Sequence, residues 1–130
     1  ISPNLGVYAT EPEADPVEDW ITSCESFLPY ANDEQLVLPG HKLPFSGLPH
    51  RLKQLIENHH SALSRLLEFL KEPQTSVGCF STLYNRKISQ NEYGLALVEA
   101  VAHLNHLHRK KLISRDVNSD GAYVYRLKSD

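Results

Sequence analysis

The stretch that decides the fold is Ser89–Leu127, SQNEYGLALVEAVAHLNHLHRKKLISRDVNSDGAYVYRL. Ser89-Gln90-Asn91-Glu92 has the form of a capping box. In such a box the serine hydroxyl and the glutamate carboxylate each satisfy a backbone N–H that the first helical turn leaves without a partner. Behind it, Tyr93, Leu97, Ala100, Val101, Leu104, Leu107 and Leu112 give a helix one core-facing side. Ile113, Arg115 and Val117 then alternate, Asn118-Ser119-Asp120-Gly121 turns the chain, and Tyr123, Tyr125 and Leu127 alternate on the return. That pattern predicts a β-hairpin.

Upstream of the box, Thr75 or Ser76 can cap a short helix carrying Val77, Phe80, Leu83 and Tyr84. Before that, Pro49 opens a long helix with a continuous apolar stripe: Leu48, Leu52, Leu55, Ile56, His59, Leu63, Leu66, Leu67 and Leu70. Glu72-Pro73 ends it after about six turns, because the residue before proline avoids the helical region. Three helices followed by a hairpin is the element order of a winged helix. The fold class expected is therefore α+β, mostly helical.

The N-terminal part reads differently. Ile1–Thr10 suggests a loop leading into a short strand, and Glu11–Glu13 a solvated turn. Asp15 is placed to cap a helix with Pro16 in its first turn, and Val17, Trp20, Ile21, Cys24, Phe27 and Leu28 recur at helical spacing. Pro29 and Asn32-Asp33-Glu34 close it. Leu36-Val37-Leu38 reads as a short buried strand, stopped by Pro39-Gly40 and followed at once by His41.

Composition narrows the class. The chain has 130 residues, 41% hydrophobic and 22% charged, enough for one ordinary domain or two small ones. A net charge of −3 gives no general attraction to nucleic acid or to an anionic membrane. No apolar run approaches the ~20 residues that span a bilayer, so no membrane partner and a cytoplasmic location are expected. Cys24 and Cys79 lie among apolar neighbours, as buried free thiols do. The chain opens at Ile1 and holds no methionine, which is expected of a processed or truncated chain.

Two stretches resemble a known family. Ile1-Ser2-Pro3-Asn4, the Asp-Pro-capped helix bearing Trp20, and Leu36-Val37-Leu38-Pro39-Gly40-His41 resemble the last third of metallo-β-lactamase-fold hydrolases, the group that contains glyoxalase II-like thioesterases and β-lactamase-like proteins. The helix-rich tail is similar to the winged-helix extension of one branch. The resemblance implies that residues 1–47 are the C-terminal edge of an αββα sandwich, and 48–130 a long helix plus a winged-helix domain. It also implies that His41 is a metal ligand at the end of a sheet strand, in a two-metal zinc site of the intact parent, with Gly40 letting the backbone turn closely beside the ion. The family's other ligands, an H-x-H-x-D-H motif, a further His and a bridging Asp, are absent from this chain. The parent is then expected to hydrolyse a small-molecule substrate by making a metal-bound water acidic. The chain alone is expected to hold no metal tightly and to be inactive, and to associate with the missing N-terminal part or with a second copy.

Other residues compete for attention. Lys42 and Asn4 could line the same mouth as His41. His59, His60, His103, His106 and His108 invite a second metal site, yet no carboxylate or cysteine stands at ligand spacing from them in sequence. His59 reads instead as a core histidine with a backbone partner. Arg109, Lys110, Lys111, Arg115, Arg126 and Lys128 would be the recognition helix and wing of a nucleic-acid-binding module. Cations at a helix C-terminus and on a hairpin also arise without nucleic acid. Nucleic acid is therefore a rival partner and not the favoured one, and a winged helix can equally be a protein-interaction or dimerisation module.

Overall fold

The computed structural model describes residues 5–129. Helix α1 spans Pro16–Phe27 and runs into a 3₁₀ turn at Leu28–Tyr30; α2 spans Leu48–Phe69; strand β1 is Gln74–Thr75. A 3₁₀ turn at Val77–Cys79 leads into α3, Phe80–Tyr84. A further turn at Gln90–Glu92 leads into α4, Tyr93–Arg109, and strands β2, Ile113–Val117, and β3, Tyr123–Leu127, close the chain.

Local chemistry sets these boundaries. Asp15 accepts the Glu18 N–H at 3.0 Å, which caps α1. Gly47, at φ 84, turns the backbone into α2, whose first turn holds Pro49. The capping box at Ser89 is complete, with the Glu92 carboxylate accepting from both the hydroxyl and the backbone N–H of Ser89. At the far end of α4, Leu112 N–H bonds the Leu107 carbonyl and Lys111 N–H bonds that of His108. This is a Schellman motif, and its left-handed residue is Lys111, at φ 62.

The hairpin pairs Ile113 with Leu127 and Val117 with Tyr123. Its turn is held by Asn118, whose side-chain oxygen accepts from the backbone of Asp120 and Ala122, with Gly121 at φ 80. β1 pairs with β3, Gln74 opposite Tyr125, so the sheet order is β1-β3-β2 and the last strand lies in the middle.

The main core joins α1, α2, α4 and the sheet, and a smaller cluster of Phe80, Ala96 and Ala100 seats α3 on α4. Val17 and Ile21 of α1, Leu63 and Leu66 of α2, Leu104 and Leu107 of α4, and Ile113 and Tyr125 of the sheet pack together. The stripe expected on the long helix is the buried one: Leu52, Leu55, His59, Leu63, Leu66 and Leu70 are all enclosed. Cys24 and Cys79 are buried free thiols, as expected.

Five expectations change. Leu36-Val37-Leu38 is not a buried strand. Val37 makes a single bridge to Phe45, while Leu36 and Leu38 are 67% and 75% exposed. An apolar run with turns on both sides signals burial, and here none of the described residues covers it. Residues 5–10 form no strand. They cross α4 through one bond, Val7 N–H to the Val98 carbonyl at 3.2 Å. Gly6 permits that crossing, since a Cβ there would come within 2.7 Å of Val98. Phe27 ends α1 facing outward, Leu112 just after α4 is half-exposed, and Tyr93 at the start of α4 is half-exposed while its ring meets the edge of Phe80.

Candidate functional site

His41 lies in the loop 38–44, whose ends are pinned by paired backbone bonds between Val37 and Phe45 of 2.8 and 3.1 Å. It is exposed, as is Lys42 beside it, which takes φ 68. Leu36, Leu38 and Leu43 surround it at 67–83% exposure. Gly40 does not take a positive φ, and a Cβ there would meet nothing in this chain within 4 Å. The close approach expected of it has no counterpart among the described residues. His41 is therefore exposed on a loop flanked by apolar residues, without a second ligand among the described residues. Asn4, the other residue considered for this mouth, lies outside the described residues.

A lone imidazole does not fit a zinc site, which takes about three or four donors. The one group of metal-capable side chains among the described residues lies elsewhere: Asp15, Glu18 and His106, with their ligand atoms within 4.8 Å of one another. The sequence pattern showed no carboxylate beside the histidines because this contact joins residues far apart in the chain. His106 Nδ1 lies 3.1 Å from Asp15 Oδ1 and 3.7 Å from Glu18 Oε2. Each member already has a structural task. Asp15 caps α1, and Glu18 accepts from Lys110 at 2.9 Å. That hydrogen bond holds the Glu18 carboxyl below its ordinary range. The cluster ties α1 to the end of α4.

His59 and His103 meet between α2 and α4, ring nitrogens 3.2 Å apart, with His103 Nδ1 2.9 Å from the Glu99 carbonyl. His59 thus has a side-chain partner and not the backbone partner expected. His103 and His106 engage different neighbours, and His60 is exposed, so the five histidines converge on no common point.

The basic residues near the hairpin are largely spoken for. Arg109 donates to the Glu13 carbonyl, Lys110 to Glu18, and Arg115 to both Glu13 oxygens at 3.0 Å. Arg115 also lies 4.2 Å over the Tyr123 ring. Three of the six cations proposed for a phosphate track therefore bind the segment before α1 or its first turn.

This architecture, a helical unit closed by a small sheet and preceded by a capped helix and an outward loop, has counterparts. Residues 63–128, just over half the chain, match the family described as metallo-beta-lactamase-like, C-terminal domain, and the chain belongs to that family. It is similar to a beta-lactamase domain protein from Burkholderia ambifaria, at 31% identity and a TM-score of 0.90 over 98% of this chain. It is also similar to a metallo-beta-lactamase family protein from Thermus thermophilus, at 25% identity and a TM-score of 0.79 over 98% of this chain. The chain spans 38% of the length of each. No curated protein matches it. Among the described residues, no helix is long and apolar enough to cross a membrane.

Proposed function

We propose that this chain is the C-terminal part of a metal-dependent hydrolase of the metallo-β-lactamase superfamily, with zinc as the metal and His41 as one ligand. The observation that carries the reading is the loop 38–44: an exposed imidazole on a pinned turn, with the exposed Leu36, Leu38 and Leu43 near it in sequence and no described residue covering them. Exposed leucines gathered in one short segment suit a contact surface. The relatives extend well beyond the span this chain matches. The remaining part of such a protein would cover the leucines and supply the other ligands. On this reading residues 1–47 complete the catalytic sandwich. Residues 48–130, a long helix plus a winged-helix domain, would cover or shape the substrate cleft.

The test is made on the longer protein. His41→Ala should lower bound zinc and hydrolysis together while leaving thermal unfolding of the helical part unchanged. Full zinc content in that variant would remove His41 from the site. The chain alone, dialysed against zinc, should retain no stoichiometric ion.

A nucleic-acid-binding or protein-interaction module is the competing reading, and the ion pairs of Lys110 and Arg115 count against its nucleic-acid form. Oligonucleotide binding that weakens steeply with salt would reverse that judgement.

A further inference from the structure

His59 and His103 are 6% and 2% exposed, and the tautomers they adopt follow from one contact. The Glu99 carbonyl, 2.9 Å from His103 Nδ1, can only accept, so that nitrogen carries a proton. Neutral His103 is then left with a lone pair on Nε2, and His59 must donate to it from Nδ1, 3.2 Å away. The result is a directed chain from His59 to His103 to the backbone. Among the described residues it is the one side-chain hydrogen bond that joins α2 to α4.

Protons added to this pair are not equivalent. The first can be accommodated: His103 donates from both nitrogens, and His59 accepts at Nδ1 and carries its hydrogen on Nε2. The second cannot. It places two N–H groups and two positive charges face to face in a buried seam. The surrounding groups do not compensate. α2 contributes His60 and the Arg65 guanidinium, α4 contributes His106 and Glu99, α3 contributes Tyr84, and Asp15 reaches the pair from before α1. Burial pushes the Glu99 carboxyl up, so it loses its charge early on acidification, and Asp15 is engaged with His106 and the α1 cap.

We propose that the His59–His103 pair is an acid-operated latch, which when neutral fastens α2 to α4 and when doubly protonated releases that seam. Release opens the cleft of about 240 Å³ that lies between the two helices and α3, lined by Leu55, Ala62, Leu83 and the two imidazoles. Burial, with His103 beside it, holds the His59 pKa down at about 4, and burial lowers His103 as well. An unfolded histidine titrates near 6.5. The unfolded or opened form therefore binds more protons between these values. The latch is fully shut above pH ~6.5 and loosens as pH falls toward 4. This inference concerns the chain itself and does not rest on the hydrolase reading.

The experiment is pH titration of the full chain by long-range ¹H–¹⁵N correlation of the imidazoles, with amide exchange read in parallel. At pH 7.5 both rings should be neutral with the proton on Nδ1, the less common tautomer in solution. From pH 7.5 to 4.5, protection corrected for intrinsic exchange should fall tenfold or more at residues 55–63 and 99–106, ahead of the hairpin. His59→Gln keeps a donor toward His103 without titrating there, and should reduce that fall to threefold or less. Protection that is independent of pH, an equal fall in His59→Gln, or rings that titrate near 6.5 would each overturn the latch. The tautomer and titration readings need only the unaltered chain, so they decide the matter even if the variant does not fold.

Discussion

Asp15 and His106 stand 91 residues apart in the chain, yet the carboxylate of one lies 3.1 Å from the buried imidazole of the other. The same carboxylate caps α1. One side chain therefore both starts a helix and fastens it to the end of another. Asp15→Ala should remove both contacts and cost about 2–3 kcal/mol, the sum expected for a cap and a buried charge-assisted hydrogen bond. Asp15→Asn keeps the cap and should cost about 1 kcal/mol. Urea unfolding at pH 7 measures both, and equal losses would show that the His106 contact is the whole effect and that the cap contributes nothing.

Lys111 occupies the left-handed position of the Schellman motif that ends α4, where glycine is the unstrained residue. Lys111→Gly should stabilise the chain by about 0.5–1 kcal/mol, a rise in thermal midpoint of a few degrees. A fall in midpoint would mean that the lysine side chain contributes more than its backbone costs.

Cys79 is fully buried, and burial pushes its thiol up to about 11. Only thiolate reacts, so at pH 8 its reaction with a disulfide reagent should be at least about a hundredfold slower than that of a free cysteine. Cys24 is shifted in the same direction by the same cause. Denaturant should abolish the protection of both. Rapid labelling of either thiol in the native chain would contradict the packing around it.

Trp20 carries a buried indole N–H without a hydrogen-bond partner among the described residues. An unmade buried bond costs about 1–3 kcal/mol, which offsets the packing that the larger ring provides. Trp20→Phe should therefore stay within about 1 kcal/mol of the parent, whereas Trp20→Ala should lose about 3 kcal/mol. Chemical denaturation of the two variants separates these cases.

Patterns with a short range were legible in the sequence. The Ser89 box, the Asp15 cap, the Pro49 start and the alternation on either side of Asn118 each depend on neighbours within a few residues, and each appears where expected. The pairing of β1 with β3 was not legible, because Gln74-Thr75 is too short to show a period. Nor was the meeting of His106 with Asp15 and Glu18, or of His59 with His103, since only the folded core brings those helices together. Leu36-Val37-Leu38 failed in the opposite direction. Its apolar character asks for a cover, and sequence pattern cannot tell a cover inside the chain from one outside it.

β3, the middle strand of the sheet, is also its last in the chain, and its final residue, Leu127, bonds back to the Leu70 carbonyl at 2.7 Å. During synthesis, β1 and β2 leave the ribosome with nothing between them. The end of α2 keeps an open carbonyl until residue 127 emerges. Helices α1 to α4 can gather earlier, because their contacts lie upstream. At a synthesis rate of roughly 5–20 residues per second, the hairpin return from Gly121 to Leu127 passes in about a second. The sheet can close only once its newest strand is present, and a nascent chain arrested before Tyr123 would leave the facing edges of β1 and β2 unpaired and open to a foreign β-strand.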